Sequence, residues 1–322
     1  MTPTAVTPQS IQHAAALLHQ GKLVAIPTET VYGLGADASN PDAVAKIFLA
    51  KGRPADHPLI VHLAYARQIK DWAINVPEVA WRLADEFWPG PLTMILQKKA
   101  SVPMAVTGGQ NTIALRVPNN AVALWLLREF GGGIAAPSAN RFGRISPTLA
   151  THVIEELGDA VDCILDGGPC AVGVESTIID LTDSQPTILR PGRISRSQLE
   201  AVLQTPVAIK SQHKIRAPGM LAAHYAPNTP AFLCTTDTLL ALLDQQRSHG
   251  KRVGVLAFST ELSQLTCQHL LNLPAQADNY EAALYCALRE LDKLQLDSIL
   301  VEKPPEQEDW MAVNDRLNKA TI

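Results

Sequence analysis

Short apolar segments, each closed by a polar loop, dominate the first two thirds of the chain. The segments 23–26, 59–63, 92–96, 113–117, 134–136, 163–166, 176–181 and 187–190 have the length and composition of strands. Helical periodicity is confined to 41–49, 77–87, 121–130 and 148–157, after a first helix that Thr7 caps, Pro8 begins and Gly21 stops. So many strands for so few helices predict a broad, twisted, mixed α/β sheet with helices packed on it, over residues 1–208. Open sheets of this class bind ligands in the loops at the carboxyl ends of their strands.

Residues 209–229 break the pattern. The segment Ile209-Lys-Ser-Gln-His-Lys-Ile-Arg-Ala-Pro-Gly has neither helical nor strand period, is rich in positive charge (His213 included), and lies between Pro206 and Pro227. It reads as a linker, and on this ground alone as a passive one. Strand candidates at 232–234, 253–258 and 298–301 then alternate with helix candidates at 238–249, 280–291 and 313–319. They predict a second, smaller, mostly parallel α/β domain over 230–322. A length of 322 residues, 47% of them hydrophobic, suits two cored domains, and 18% charged residues argue against disorder. A net charge of −4 excludes a generic polyanion-coating protein but allows a local cationic pocket. Cys163, Cys170, Cys234, Cys267 and Cys286 show no Cys-x-x-Cys spacing, which predicts a reduced, intracellular protein. No basic segment precedes an apolar run at the start, and the apolar stretch 121–127 is too short to cross a bilayer. The expected location is the cytoplasm, with no membrane partner.

The common phosphate and hydrolase signatures are missing. There is no Gly-x-x-x-x-Gly-Lys-Ser/Thr, no His-Glu-x-x-His and no Gly-x-Ser-x-Gly, and the loop glycines Gly33-Leu-Gly35 stop short of Gly-x-Gly-x-x-Gly. What remains is a set of polar loops. Pro27-Thr-Glu-Thr-Val-Tyr-Gly-Leu-Gly35 follows a buried strand and reads as a ligand loop or as a capped turn. Lys51-Gly-Arg53-Pro54 pairs a point charge with a planar fork, a combination suited to phosphate oxygens, although a helix C-terminus alone accounts for cations there. His62 lies inside an apolar strand, where a satisfied core histidine is the plainer reading. Arg116 in a buried strand demands a partner or a ligand. Ala136-Pro-Ser138-Ala-Asn140 closes a strand with small residues, Arg141, Arg144 and Ser146 follow, Glu175-Ser176-Thr177 opens another strand, and Arg190 closes one. Lys51, Arg53, Arg116 and Arg190, with hydroxyls from Thr28, Thr30, Ser138, Ser146, Ser176 and Thr177, outline a concentrated anion pocket. No Ser/His/Asp set accompanies them, so positioning and charge stabilisation are expected rather than covalent catalysis.

In order and spacing, Pro27-Thr-Glu-Thr-Val-Tyr-Gly-Leu, Lys51-Gly-Arg-Pro, Pro137-Ser-Ala-Asn140 and Glu175-Ser-Thr177 resemble the YrdC/Sua5 family. His224-Tyr225-Ala226-Pro227 and the C-terminal segment resemble its longer, Sua5-type members. The resemblance covers nearly the whole chain. It implies a YrdC-like twisted sheet with a concave cationic cavity, joined through a linker to a Rossmann-like domain. It also implies an L-threonylcarbamoyladenylate synthase, a nucleotidyltransferase that combines L-threonine, bicarbonate and ATP into threonylcarbamoyl-AMP and pyrophosphate, with Mg²⁺ accompanying ATP. A separate transferase machinery would carry the group to adenosine 37 of tRNA, with transient tRNA contact.

By the same resemblance, Thr30, His62, Arg116, Ala136 and Ser176 match positions that hold threonine, with Arg116 set to pair with its carboxylate. Lys51 and Arg53 match the residues facing the ATP phosphates and are the catalytic candidates; Thr112, Ser138, Asn140, Ser146 and Arg190 match other ATP positions. His224 and Tyr225 match a segment that closes over the nucleotide, which turns the linker into an active-site lid. His57 matches another ATP position, where many relatives have Asn, and imidazole and amide differ in donor geometry. Two other readings compete. A carbamoyl-adenylate former on the same domain would bring zinc-finger cysteines and an acylphosphatase-like module, for which this chain has neither Cys-x-x-Cys nor room. An RNA-binding module would use the cationic cavity with Arg141, Arg144, Arg193 and Arg196, against the overall charge of −4.

Overall fold

The computed structural model describes residues 2–210, 214–220 and 224–322; the remainder of the expected linker, His213 among it, lies outside the described residues. The chain divides into two units. The first comprises Met1–Phe142, Pro147–Ala171 and Glu175–Met220, the second Gly143–Ser146, Val172–Val174 and Leu221–Ile322.

Strands of the first unit are β1 (Thr4–Ala5), β2 (Val24–Ile26), β3 (Gly33–Asp37), β4 (Ile60–His62), β5 (Leu92–Gln97), β6 (Thr112–Arg116), β7 (Ile134–Ala135), β8 (Cys163–Asp166), β9 (Thr177–Asp180), β10 (Thr187–Arg190) and β11 (Ala208–Ile209). Among the described residues they form one mixed sheet in the order β1-β8-β2-β3-β7-β4-β6-β5-β9-β10-β11. The first helix, Pro8–His19, starts as its sequence requires. The Thr7 hydroxyl accepts from the Ser10 amide at 3.1 Å while the Ser10 hydroxyl accepts from the Thr7 amide at 2.8 Å, and Gly21 turns the chain at φ +67°.

One expectation needs correction at once. Gly33–Asp37 is a strand, not part of the loop, and pairs antiparallel with β2 in the register Val24↔Gly35 and Ile26↔Gly33. Its glycines serve packing. A Cβ on Gly35 would stand 2.9 Å from both Val24 O and Ile134 Cγ2, closer than packed atoms approach. Sequence reasoning also misses β1, β11 and the helix Arg196–Leu203, although Ser195 and Gln198 form a capping box at its start.

Alternation along the strands sends side chains to two faces. Leu34, Ala36, Val61, Ile113 and Leu115 join one large core with Val44, Ile47 and Phe48 of the helix Pro41–Lys51. On the other face, Val24, Ile26 and Ile134 pack beneath Ile11 and Leu18 of the first helix and Leu126 and Phe130 of the helix Ala121–Phe130. Farther along, Ile60, Ile95, Ala114, Ile178 and Leu189 are covered by Ile215 and Ala217, which thus pack within the first unit. His62, Thr93, Arg116 and Ser176 continue the alternation of Ile60, Ile95, Ala114 and Ile178, so they share that face.

The second unit holds β12 (Ala231–Cys234), β13 (Val253–Ala257), β14 (His269–Asn272) and β15 (Ser298–Glu302) in the order β12-β15-β13-β14, with every described pairing parallel. Helices Thr236–Ser248, Ala277–Asp292 and Met311–Ala320 alternate with the strands, a Rossmann-like arrangement. Glu302, at the carboxyl end of β15, accepts from the amides of Phe258 at 2.8 Å and Ser259 at 3.0 Å and from the Thr236 hydroxyl at 3.2 Å. The segments 143–146 and 172–174 are built into this unit. Arg289 donates to Ile145 O, Arg144 pairs with Asp292 at 3.3 Å, and Gly173, at φ +82°, abuts the backbone of Glu281 and Ala282.

Candidate active site

β4 and β6 run parallel with His62 opposite Arg116, so the register alone sets imidazole beside guanidinium. Both are buried. Arg116 donates from Nε to Gly90 O at 3.3 Å and from Nη1 to Thr30 Oγ1 at 2.9 Å, while Nη2 lies 2.7 Å from Oε1 of Glu29. Burial first, then the Arg116 charge, bring His62 down to about 3, so the ring is neutral at physiological pH. Its Nδ1 has no hydrogen-bond partner among the described residues. Ala136 joins the same neighbourhood through its amide, which donates to Ile60 O at 3.0 Å.

Ser176 lies across β5 from this pair. Its hydroxyl is 2.8 Å from Thr93 Oγ1, and Arg190 grips it with Nε and Nη2 donating to Ser176 O at 3.1 and 2.9 Å. Nη1 of Arg190 reaches Pro218 O at 3.1 Å, which ties the segment after β11 to the sheet. Gly192 allows the close approach: a Cβ there would meet Thr177 N at 2.4 Å.

The cationic corner follows from a helix stop. Lys51 is the last residue of its helix, and Gly52 turns left-handed at φ +61°, throwing Arg53 back beside it. The result is not a solvated helix end. Lys51 is 3% exposed, and its ammonium donates to Ser138 O and, at 2.6 Å, to Asn140 O. Burial, then the neighbouring Arg53, push the amine well below the usual lysine range; Glu156 and Glu175 oppose that shift. Arg53 donates to Pro58 O at 3.0 Å and lies 5.9 Å from the Phe142 ring, against which His57 also packs edge-on at 5.4 Å. Burial and Arg53 lower the His57 imidazole too. β3 binds the corner to the first loop: Leu34 N donates to Pro137 O at 2.7 Å and Ala139 N to Tyr32 O at 2.8 Å.

Thr112 begins β6, four residues from Arg116 and so about 13 Å along the strand. There, with Gln97, Asn111, Lys214 and Ile215, it lines a cavity of about 880 Å³. Ser146, His224 and Tyr225 belong to the second unit. Within it Tyr225, buried and at φ +66°, stacks on Tyr285 at 5.9 Å and lies 5.3 Å from the Arg316 guanidinium. Sequence reasoning did not name Glu29, Thr93 or Glu175 as site residues. Glu29 and Glu175 sit inside motifs singled out above, while Thr93 carries no sequence signal beyond its apolar strand.

A family model described as Sua5_yciO_yrdC, telomere recombination, matches residues 16–192, and one described as threonylcarbamoyl-AMP synthase, C-terminal domain, matches 194–321. The chain is 43% identical to a threonylcarbamoyl-AMP synthase of Bacillus subtilis, covering 96% of this chain and 92% of the relative. It is 41% identical to one of Pyrococcus abyssi, over 97% and 94%. The crystal structure of P. abyssi Sua5 complexed with L-threonine superposes with a TM-score of 0.94 at 40% identity, over 99% of this chain and 97% of that one. A structure of T. kodakarensis HypF shares the fold at 24% identity and a TM-score of 0.51, over 58% of this chain and 25% of that one.

Proposed function

The chain belongs to the Sua5/YrdC family of threonylcarbamoyl-AMP synthases, and from that premise we propose how its first unit divides the reaction. L-Threonine, bicarbonate and ATP give threonylcarbamoyl-AMP and pyrophosphate; a separate transferase then carries the threonylcarbamoyl group to adenosine 37 of tRNA. Thr30, His62, Arg116, Ala136 and Ser176 form the amino-acid end, and Arg116 takes the substrate carboxylate. The neutral imidazole of His62 offers the unpartnered Nδ1 to the threonine hydroxyl. The carbamate oxygen attacks the α-phosphorus and pyrophosphate leaves. Both reactants are anionic, so the site must offset their repulsion at the moment of transfer.

Buried Lys51, fixed by two backbone carbonyls beside Arg53, carries this reading. An ammonium whose charge is disfavoured by burial regains it when a phosphate arrives, so the interaction strengthens as negative charge develops. Ser138, Asn140 and Arg190 supply further ATP contacts, and the nucleoside extends over Ala114 toward Thr112. Among the described residues no group of three His, Cys, Asp or Glu side chains could hold a metal ion. Mg²⁺ enters on the triphosphate as part of the substrate, since this ion is ordinarily held by substrate phosphates with at most one or two protein carboxylates. His224 and Tyr225 act as the lid, and the cytoplasm is where ATP, threonine and tRNA meet. None of the described helices is long and apolar enough to cross a membrane. The test is pyrophosphate release in Mg²⁺ buffer, expected to need ATP, L-threonine and bicarbonate together. Lys51→Ala should lower it at least ~10²-fold in a protein that stays folded. Threonine-independent release, or a near-normal rate for Lys51→Ala, would overturn the assignment.

A further inference from the structure

Glu29 has no task in the reaction so far, yet it is tightly placed. Thr28 Oγ1 accepts from the amides of Thr30 at 3.1 Å and Val31 at 3.2 Å and donates to Val31 O at 2.6 Å, a turn that projects residue 29 from a rigid base. The Glu29 side chain is 8% exposed and meets Arg116 Nη2 at 2.7 Å. Beyond that ion pair, neither carboxylate oxygen nor Nη2 has a hydrogen-bond partner among the described residues. The charges balance while the lone pairs and N–H groups stay open. Buried polar groups are ordinarily paired, and a carboxylate has sites for several donors.

A guanidinium and a carboxylate side by side, each with hydrogen-bonding capacity to spare, complement an α-amino acid, whose carboxylate and ammonium leave the same carbon. Two titratable groups beside this pair, Cys170 and His62, are neutral. Burial, reinforced by the Glu29 charge, raises the Cys170 thiol to about 12, and His62 is held uncharged as described. We propose that Glu29 binds the α-ammonium of L-threonine and takes the proton that this nitrogen must lose to become a carbamate. The proposal rests on the synthase reading above. Ammonium and bicarbonate give carbamate, water and one proton. The nitrogen lone pair forms the N–C bond, a C–O bond of bicarbonate breaks, one ammonium proton leaves in the water and the other goes to Glu29. Once protonated, Glu29 no longer competes with the substrate carboxylate for Arg116, so deprotonation and carboxylate binding reinforce each other.

The test uses the full chain and Glu29→Gln, which keeps the shape but cannot take the proton. Pyrophosphate release is followed from pH 6.5 to 9.5, and the reverse synthesis of ATP from threonylcarbamoyl-AMP and pyrophosphate alongside it. Forward turnover of Glu29→Gln should fall ~10²-fold near pH 7 and then climb about tenfold per pH unit, as solvent deprotonates the amine instead. Reverse ATP synthesis forms its P–O bond with no ammonium to deprotonate and should lose at least tenfold less than the forward reaction. Glu29→Asp keeps the carboxylate one methylene back and should likewise lose more in the forward than in the reverse direction. It supplies the same comparison should the Gln variant fail to fold. A forward pH profile like the parent's, or equal losses in both directions, would overturn the role of Glu29. A parent enzyme that releases no pyrophosphate with threonine and bicarbonate would overturn the synthase reading, and the proposal with it.

Discussion

At the scale of single residues, the sheet face makes ionisable groups uncharged or paired. His62 titrates at about 3 in the folded chain against an ordinary 6.5, so the unfolded chain takes up the proton first as pH falls. The stability associated with a neutral His62 is therefore complete above pH 6.5 and drains away toward pH 3, by up to about 1.4 kcal/mol per pH unit. Urea midpoints between pH 7 and 4.5 should fall less steeply for His62→Gln than for the parent; parallel curves would mean that the imidazole charges without cost. The same scale shows what a sequence hides. Arg116 in an apolar strand announced a buried partner, but nothing in the order of residues said that Thr30 and Glu29 would supply it, because the fold brings the loop after β2 to β6 from 86 and 87 positions away. Lys51 could be read as phosphate-facing or as a solvated helix end, and its burial against two carbonyls removes the second reading.

At the scale of elements, strands with apolar runs of ordinary length were legible to within a residue or two at their ends, and Cys163–Asp166 and Thr187–Arg190 to the residue. Gly33–Asp37 was not, because glycines and a polar approach signal a turn locally, while the strand forms from long-range pairing with β2 and β7. The short edge strand β14 is only half-buried and was missed for lack of an apolar run. Crowding at Gly35 gives a direct check. Gly35→Ala should destabilise the first unit by about 1–3 kcal/mol, seen as a lower urea midpoint at unchanged slope. An unchanged midpoint would mean that β2 and Ile134 can move aside.

At the scale of the whole molecule, a linear division of the chain into a first domain, linker and second domain misses that short segments of the first part, 143–146 and 172–174, complete the second unit. Sequence pattern assigns each stretch to its neighbours and has no means of detecting such an exchange. Gly173→Ala would drive a Cβ to 2.4 Å from Glu281 O at a left-handed backbone position, a cost of at least about 2 kcal/mol. Hydrogen exchange should then quicken along Ala277–Asp292 while β4 and β6 keep their protection. Equal loss in both would mean that the units open as one. In the second unit, Glu302 already satisfies the amides that a Rossmann-like sheet offers to phosphate at its carboxyl edge. Seen as a matter of metabolic sensing, the amides of Phe258 and Ser259 are already engaged by a carboxylate, which turns an incoming phosphate away at that point of the edge.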